Sequence, residues 1–150
     1  MSVTGAPGIT IPKLLLVEDD PDDAALTRRA LERAHIGNEL AVVDTGEAAL
    51  EILYAQALGE REQVGLILLD LGLPKIDGRE VLRRIWSDRR LRQIPIIVLT
   101  GSATEEDMLK SYKSGAVGFL RKPVDVDRLL RAVGDLPNYR LFITKISGDA

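Results

Sequence analysis

The sequence predicts an α/β fold whose parallel sheet is covered on both faces. Two observations predict it. Five short apolar runs alternate with five segments of helical periodicity, and the runs are near-continuously apolar, as strands buried on both sides are. A third observation concerns function. Carboxylates, a hydroxyl and an amine stand just past the ends of these runs, the edge at which open parallel sheets bind ligands.

The elements follow in order. Leu14–Val17 is the first strand and Asp22–His35 the first helix, with Ala25, Leu26, Arg29, Ala30 and Ala34 at helical spacing. Ile36-Gly37-Asn38 ends it. Leu40–Val43 is a strand and Gly46–Ala57 a helix. The polar stretch 58–63 leads into Leu66–Leu69, the most apolar strand. Gly78–Ser87 is a helix with Val81, Leu82 and Ile85 on one side and Asp77 as its cap. Pro95–Leu99 is the fourth strand, Glu105–Ser114 the fourth helix, Val117–Leu120 the fifth strand and Asp125–Val133 the fifth helix.

A length of 150 residues suits one domain. An apolar content of 45% and a charged content of 29% suit a soluble globular chain. No apolar run approaches the roughly 18 residues of a membrane span. Residues 1–12, MSVTGAPGITIP, lack the basic start and apolar centre of a signal peptide and read as a flexible tail. The chain has no cysteine, which excludes disulfides and thiolate metal sites and fits a cytoplasmic location. A net charge of −3 offers no basic field for nucleic acid.

The strand ends carry the chemistry. They are Glu18-Asp19-Asp20, Asp44-Thr45-Gly46, Asp70 in LLDLGLPKIDG, Thr100-Gly101-Ser102 and Lys122-Pro123. If the first and third strands are neighbours, Asp19 and Asp70 converge, and crowded carboxylates repel unless a cation joins them. Oxygen donors without nearby His or Cys favour Mg²⁺. A carboxylate can also attack phosphorus to give an aspartyl phosphate. The phosphoryl charge then needs a metal ion, an amine such as Lys122 and a hydroxyl such as Thr100. Plainer roles compete. Asp20, Asp22 and Asp23, with Pro21 between them, read as a helix start. Asp70 alone suits a turn, Thr100 a cap, and Phe119 a core position. His35, the single histidine, sits at a helix end and makes no metal site.

LLLVEDDP, LILLDLGLPKIDG, PIIVLTGSA and GAVGFLRKP together resemble the receiver domain of two-component response regulators, in that family's order and spacing, over roughly residues 13–135. The resemblance implies a flavodoxin-like (βα)5 sheet of order 2-1-3-4-5. It implies Asp70 as phosphoacceptor, Asp19 as direct Mg²⁺ ligand, Glu18 holding a metal water and the Gly72 carbonyl as a further ligand. It also implies Thr100 as switch hydroxyl, Lys122 as phosphate-binding amine, a cis Lys122–Pro123 bond and Phe119 at the aromatic switch position. Phe119 lacks a hydroxyl, so any switching there rests on packing. Gly72 has no side chain to shield a phosphoryl group, so rapid phosphate loss is expected. Gly101 supplies a small residue beside the phosphate. A Mg²⁺-dependent phosphatase on a related fold would want an acid where Gly72 stands. A flavodoxin-like electron carrier would find its flavin phosphate repelled by the acids. A pseudo-receiver that binds without phosphorylation is the remaining alternative.

Residues 136–150 are too few for a DNA-binding output domain. A single-domain regulator acting through protein contacts is expected. The tail NYRLFITKI has β-type composition, with Tyr139, Leu141 and Ile143 on one face and Phe142 and Ile146 on the other. It packs either on its own domain or on a second subunit. With the mixed charges of Lys110, Lys113, Asp127, Arg128 and Arg131, it leads us to expect a homodimer. These features and the segments DGREVLRRI and SATEEDMLKSY resemble single-domain regulators paired with bacterial phytochrome histidine kinases, which implies such a sensor kinase as phosphodonor.

Overall fold

The computed structural model describes residues 12–59, 64–73, 78–101 and 115–134. Within them five strands, β1 (Lys13–Val17), β2 (Leu40–Val43), β3 (Val64–Asp70), β4 (Ile96–Thr100) and β5 (Gly118–Arg121), form one parallel sheet of order β2-β1-β3-β4-β5. Four helices accompany it: α1 (Pro21–Arg33), α2 (Gly46–Ala57), α3 (Gly78–Ser87) and α4 (Val126–Gly134). The expected helix Glu105–Ser114, the Asp77 cap and the tail lie outside the described residues.

Alternate strand residues feed two cores. Leu15, Val17, Ile67, Leu69 and Val98 pack with Leu50 and Leu53 of α2 and Val81, Leu82 and Ile85 of α3. Leu14, Leu16, Leu66, Leu68, Ile97 and Leu99 pack with Leu31 of α1 and Leu129 and Val133 of α4. The central strands therefore have no polar face, which is why they read as unbroken apolar runs. Each such leucine or isoleucine withdrawn from water contributes about 2 kcal/mol of favourable transfer energy.

Two local readings need correcting. The buried face of α1 is Thr27, Ala30 and Leu31, with Ala24 and Ala34 beside it, whereas Leu26 is 47% exposed. The helix carries small apolar residues on several faces, and Leu31 is the α1 leucine that joins the core beside Leu14, Leu16, Leu66 and Leu68. β3 begins at Val64 rather than Leu66. There the Gln56 side chain of α2 accepts from the Val64 amide at 2.7 Å and donates to its carbonyl at 3.3 Å, satisfying a buried strand end.

Two glycines are required by close approach. A Cβ on Gly78 would lie 2.6 Å from the Asp70 carbonyl oxygen and from the Leu71 Cα, so only glycine lets α3 start against the end of β3. Gly115 has φ +97°, and a Cβ there would meet the Trp86 ring at 2.5 Å.

Candidate functional site

The carboxyl ends of β1, β3, β4 and β5 meet because those strands are consecutive neighbours in the sheet. Past β1, the Glu18 amide still donates to Val43 of β2 at 2.9 Å. This keeps the chain extended and turns the Glu18 side chain into the protein, where it is buried. Asp19 points to solvent. Asp20 caps α1, its Oδ1 accepting from the Asp22 amide at 2.8 Å and the Asp23 amide at 3.3 Å, with Pro21 opening the first turn.

Asp70 is the last residue of β3 and is buried. Its Oδ1 accepts from the Gly72 amide at 3.1 Å. Oxygens of Glu18, Asp19 and Asp70 all lie within 4.8 Å of one another. Two buried carboxylates and one exposed one, all hard oxygen donors, fit a divalent cation of the Mg²⁺ or Mn²⁺ kind that retains water on its open side.

Lys122 brings the positive charge. Its amide donates to the Thr100 carbonyl at 2.8 Å, joining the ends of β4 and β5, and the Lys122–Pro123 bond is cis. Its Nζ lies 2.7 Å from Glu18 Oε1, donates to Asp23 Oδ2 at 2.9 Å and sits 3.4 Å from Asp70 Oδ2. The contact with Glu18 Oε1 is a close, buried ion pair. Burial works against the ammonium, but Glu18, Asp23 and Asp70 outweigh it and hold the amine's pKa above its usual value. Burial pushes Glu18 up to about 7, the Asp70 charge adds to the rise, and Lys122 only partly offsets it.

The remaining residues sit as follows. Thr100 is buried at the end of β4. Phe119 is half-buried on β5 and packs against the α2–α3 core. Gly101 is exposed, and a Cβ there would meet nothing within 4 Å. Gly72 is exposed, and a Cβ there would lie 3.8 Å from Asp70 Oδ1. Asp127, Arg128 and Arg131 are exposed on α4. Lys110, Lys113, Tyr139, Leu141, Phe142 and Ile143 lie outside the described residues.

From sequence Asp23 reads only as part of a helix start, yet it accepts a hydrogen bond from the Lys122 amine. The available signal was positional. A helix that begins directly after β1 aims its third side chain back over the strand ends.

Residues 14–134 match the family model for the response regulator receiver domain, and the chain belongs to that family. Its relatives include the probable methanogenesis regulatory protein FilR2 of Methanothrix harundinacea (strain 6Ac), 38% identical over 137 residues, 91% of this chain and 88% of the relative. Response regulator Rcp1 of Synechocystis sp. (strain ATCC 27184 / PCC 6803 / Kazusa) is 38% identical over 129 residues, 85% of this chain and 88% of Rcp1. Among solved structures, the bacteriophytochrome response regulator AtBRR superposes with a TM-score of 0.80 at 36% identity, covering 91% of this chain and all of AtBRR. The Mn²⁺-bound form of Rcp1 gives 0.69 at 37% identity, covering 87% of this chain and 99% of that one. Among the described residues, no helix is long and apolar enough to cross a membrane.

Proposed function

We propose that this chain is a single-domain response regulator that accepts a phosphoryl group on Asp70 from a sensor histidine kinase. The observation that carries the reading is the grouping of three carboxylates within 4.8 Å of one another with an amine 3.4 Å from Asp70 Oδ2. An Asp70 carboxylate oxygen attacks phosphorus, and the bond to the donor's imidazole nitrogen breaks, leaving the electron pair on that nitrogen. A bound Mg²⁺ would supply charge neutralisation for the phosphoryl group. Glu18, Asp19, Asp70 and the Gly72 carbonyl would hold the ion. Lys122 neutralises one phosphoryl oxygen and the Thr100 hydroxyl donates to another. The Mn²⁺-bound relative Rcp1 supports a divalent ion at this acidic site.

Intact mass after incubation with Mg²⁺ and acetyl phosphate tests the reading. One added phosphoryl group is expected, absent without Mg²⁺ and absent in Asp70→Asn. No adduct in the native protein at any time would favour a binding module that works without phosphorylation. Gly72 is exposed and carries no side chain to shield a phosphoryl group on Asp70, so the phosphoprotein is short-lived and Gly72→Asn slows its hydrolysis several-fold. A native phosphoprotein lasting many hours in Mg²⁺ would contradict that.

The bacteriophytochrome regulator likeness supports a phytochrome kinase as donor. Output passes through protein contacts in the cytoplasm, from a receiver core of residues 13–135 with a dimerising extension at 136–150. The exposed Asp127, Arg128 and Arg131 on α4 offer charges of both signs for a two-fold contact. Removing residues 138–150 gives a monomer by light scattering if the extension joins the subunits.

A further inference from the structure

Among the described residues, Lys122 has three carboxylate neighbours, and they do not share one fate. If a divalent cation occupies the site, it draws on the oxygens of Glu18, Asp19 and Asp70, which lie within 4.8 Å of one another. Glu18, now the nearest carboxylate to the amine at 2.7 Å, is then engaged elsewhere. Asp23 is not in that group. It stands on the first turn of α1, half-buried, and accepts a hydrogen bond from Lys122 Nζ at 2.9 Å across 99 residues of sequence. Its neighbour Asp22 is exposed, has the same charge and lies in the same turn, but only Asp23 reaches the lysine.

We propose that Asp23 is a positioning residue, an anchor on α1 that keeps the Lys122 amine beside Asp70 when a cation takes the Glu18 oxygens. An ammonium has three N–H groups. One stays on Asp23, and the others are free for a phosphoryl oxygen on Asp70. A lysine without this anchor has four rotatable bonds and, once Glu18 is engaged, only the looser 3.4 Å contact with Asp70 Oδ2 to hold it. It would leave the acceptor at the moment the metal arrives. The proposal rests on the phosphoryl-acceptor reading for its consequence, but the anchoring itself can be observed without any phosphorylation.

The first measurement is the Lys122 side-chain ammonium signal by ¹⁵N NMR, identified by its loss in Lys122→Arg, with and without Mg²⁺. In native protein and in Asp22→Ala the signal persists when Mg²⁺ is added, because the amine remains hydrogen-bonded and protected from exchange. In Asp23→Ala it broadens away on Mg²⁺ addition, and Asp23→Glu restores it. The second measurement is the rate of adduct formation from acetyl phosphate at saturating Mg²⁺. It falls about tenfold in Asp23→Ala, by the loss of one charge-assisted hydrogen bond, with Asp22→Ala near the native rate and Mg²⁺ affinity within about threefold of native. A lysine signal in Asp23→Ala that survives Mg²⁺ as it does in native protein overturns the anchor, whatever the protein's phosphorylation behaviour. A native protein that forms no adduct overturns the acceptor reading instead, and leaves the NMR comparison to decide the anchor.

Discussion

Two acids in this molecule touch cations at nearly the same distance and respond in opposite ways. Glu80 on α3 lies 2.6 Å from Arg83 and 2.9 Å from Arg84, and their hydrogen bonds hold its pKa down at about 2. Glu18 lies 2.7 Å from Lys122, yet its pKa rises to about 7. The difference is surroundings. The Glu80 side chain is 34% exposed and keeps water around its charge, whereas that of Glu18 is wholly buried, with a second carboxylate, Asp70, close by. An ion pair on α3 is an ordinary surface feature. A buried acid that its cation cannot fully compensate is a cost to folding, and such costs persist where a site needs them.

The sharpest way to break this comparison is to remove the buried cation. Lys122→Met leaves Glu18 and Asp70 buried without the amine they share. The expected loss is about 3 kcal/mol in urea unfolding at pH 8 without metal. It shrinks towards pH 6 as Glu18 takes up a proton, and saturating Mg²⁺ recovers most of it. An unchanged unfolding midpoint in metal-free buffer would mean that the acids do not depend on the lysine.

The next test reverses the sign. The folded pKa of Glu18, about 7, is above its ordinary value of 4.5. The native state therefore holds this proton more tightly than the unfolded chain, and stability is lost as pH rises from about 4.5 through about 7. Glu18→Gln removes that loss. Without metal, the variant gains about 2 kcal/mol at pH 8, since one pKa unit is worth about 1.4 kcal/mol and Asp70 and Lys122 share part of the shift. The gain vanishes near pH 4.5. A variant less stable than native protein at pH 8 would show that Glu18 is stabilised by Lys122 more than it is penalised by burial.

The two regions also differ in how legible they were. The site's parts stand at strand ends, and strand ends can be read from where apolar runs stop. That alone puts Glu18, Asp19, Asp70, Thr100 and Lys122 at strand ends. The sheet order came from resemblance, because an apolar run does not reveal its neighbour. What escaped was contact between side chains distant in sequence. Asp23 to Lys122 spans 99 residues, and Gln56 holding Val64 depends on how α2 lies over β3. Periodicity is local and carries neither. It also misjudged α1, where alanines on several faces hid that Leu31, not Leu26, is the buried leucine.

The smallest expected effect belongs to α3 and sharpens the contrast from the other side. The Glu80 pKa is depressed from 4.5 to about 2, so its pairing contributes stability that is fully present above pH 4.5 and is lost as pH falls through about 2. Solvent and salt screen these exposed partners. Glu80→Gln should therefore lower the thermal midpoint at pH 7 by no more than about 2 °C. The difference should narrow below pH 4.5 and in 1 M salt. A pairing as tight as the buried one in distance would thus be weak in consequence. If Glu80→Gln instead matched Lys122→Met in its cost and ignored salt, distance rather than burial would govern these pairs, and the contrast between the two regions would fail.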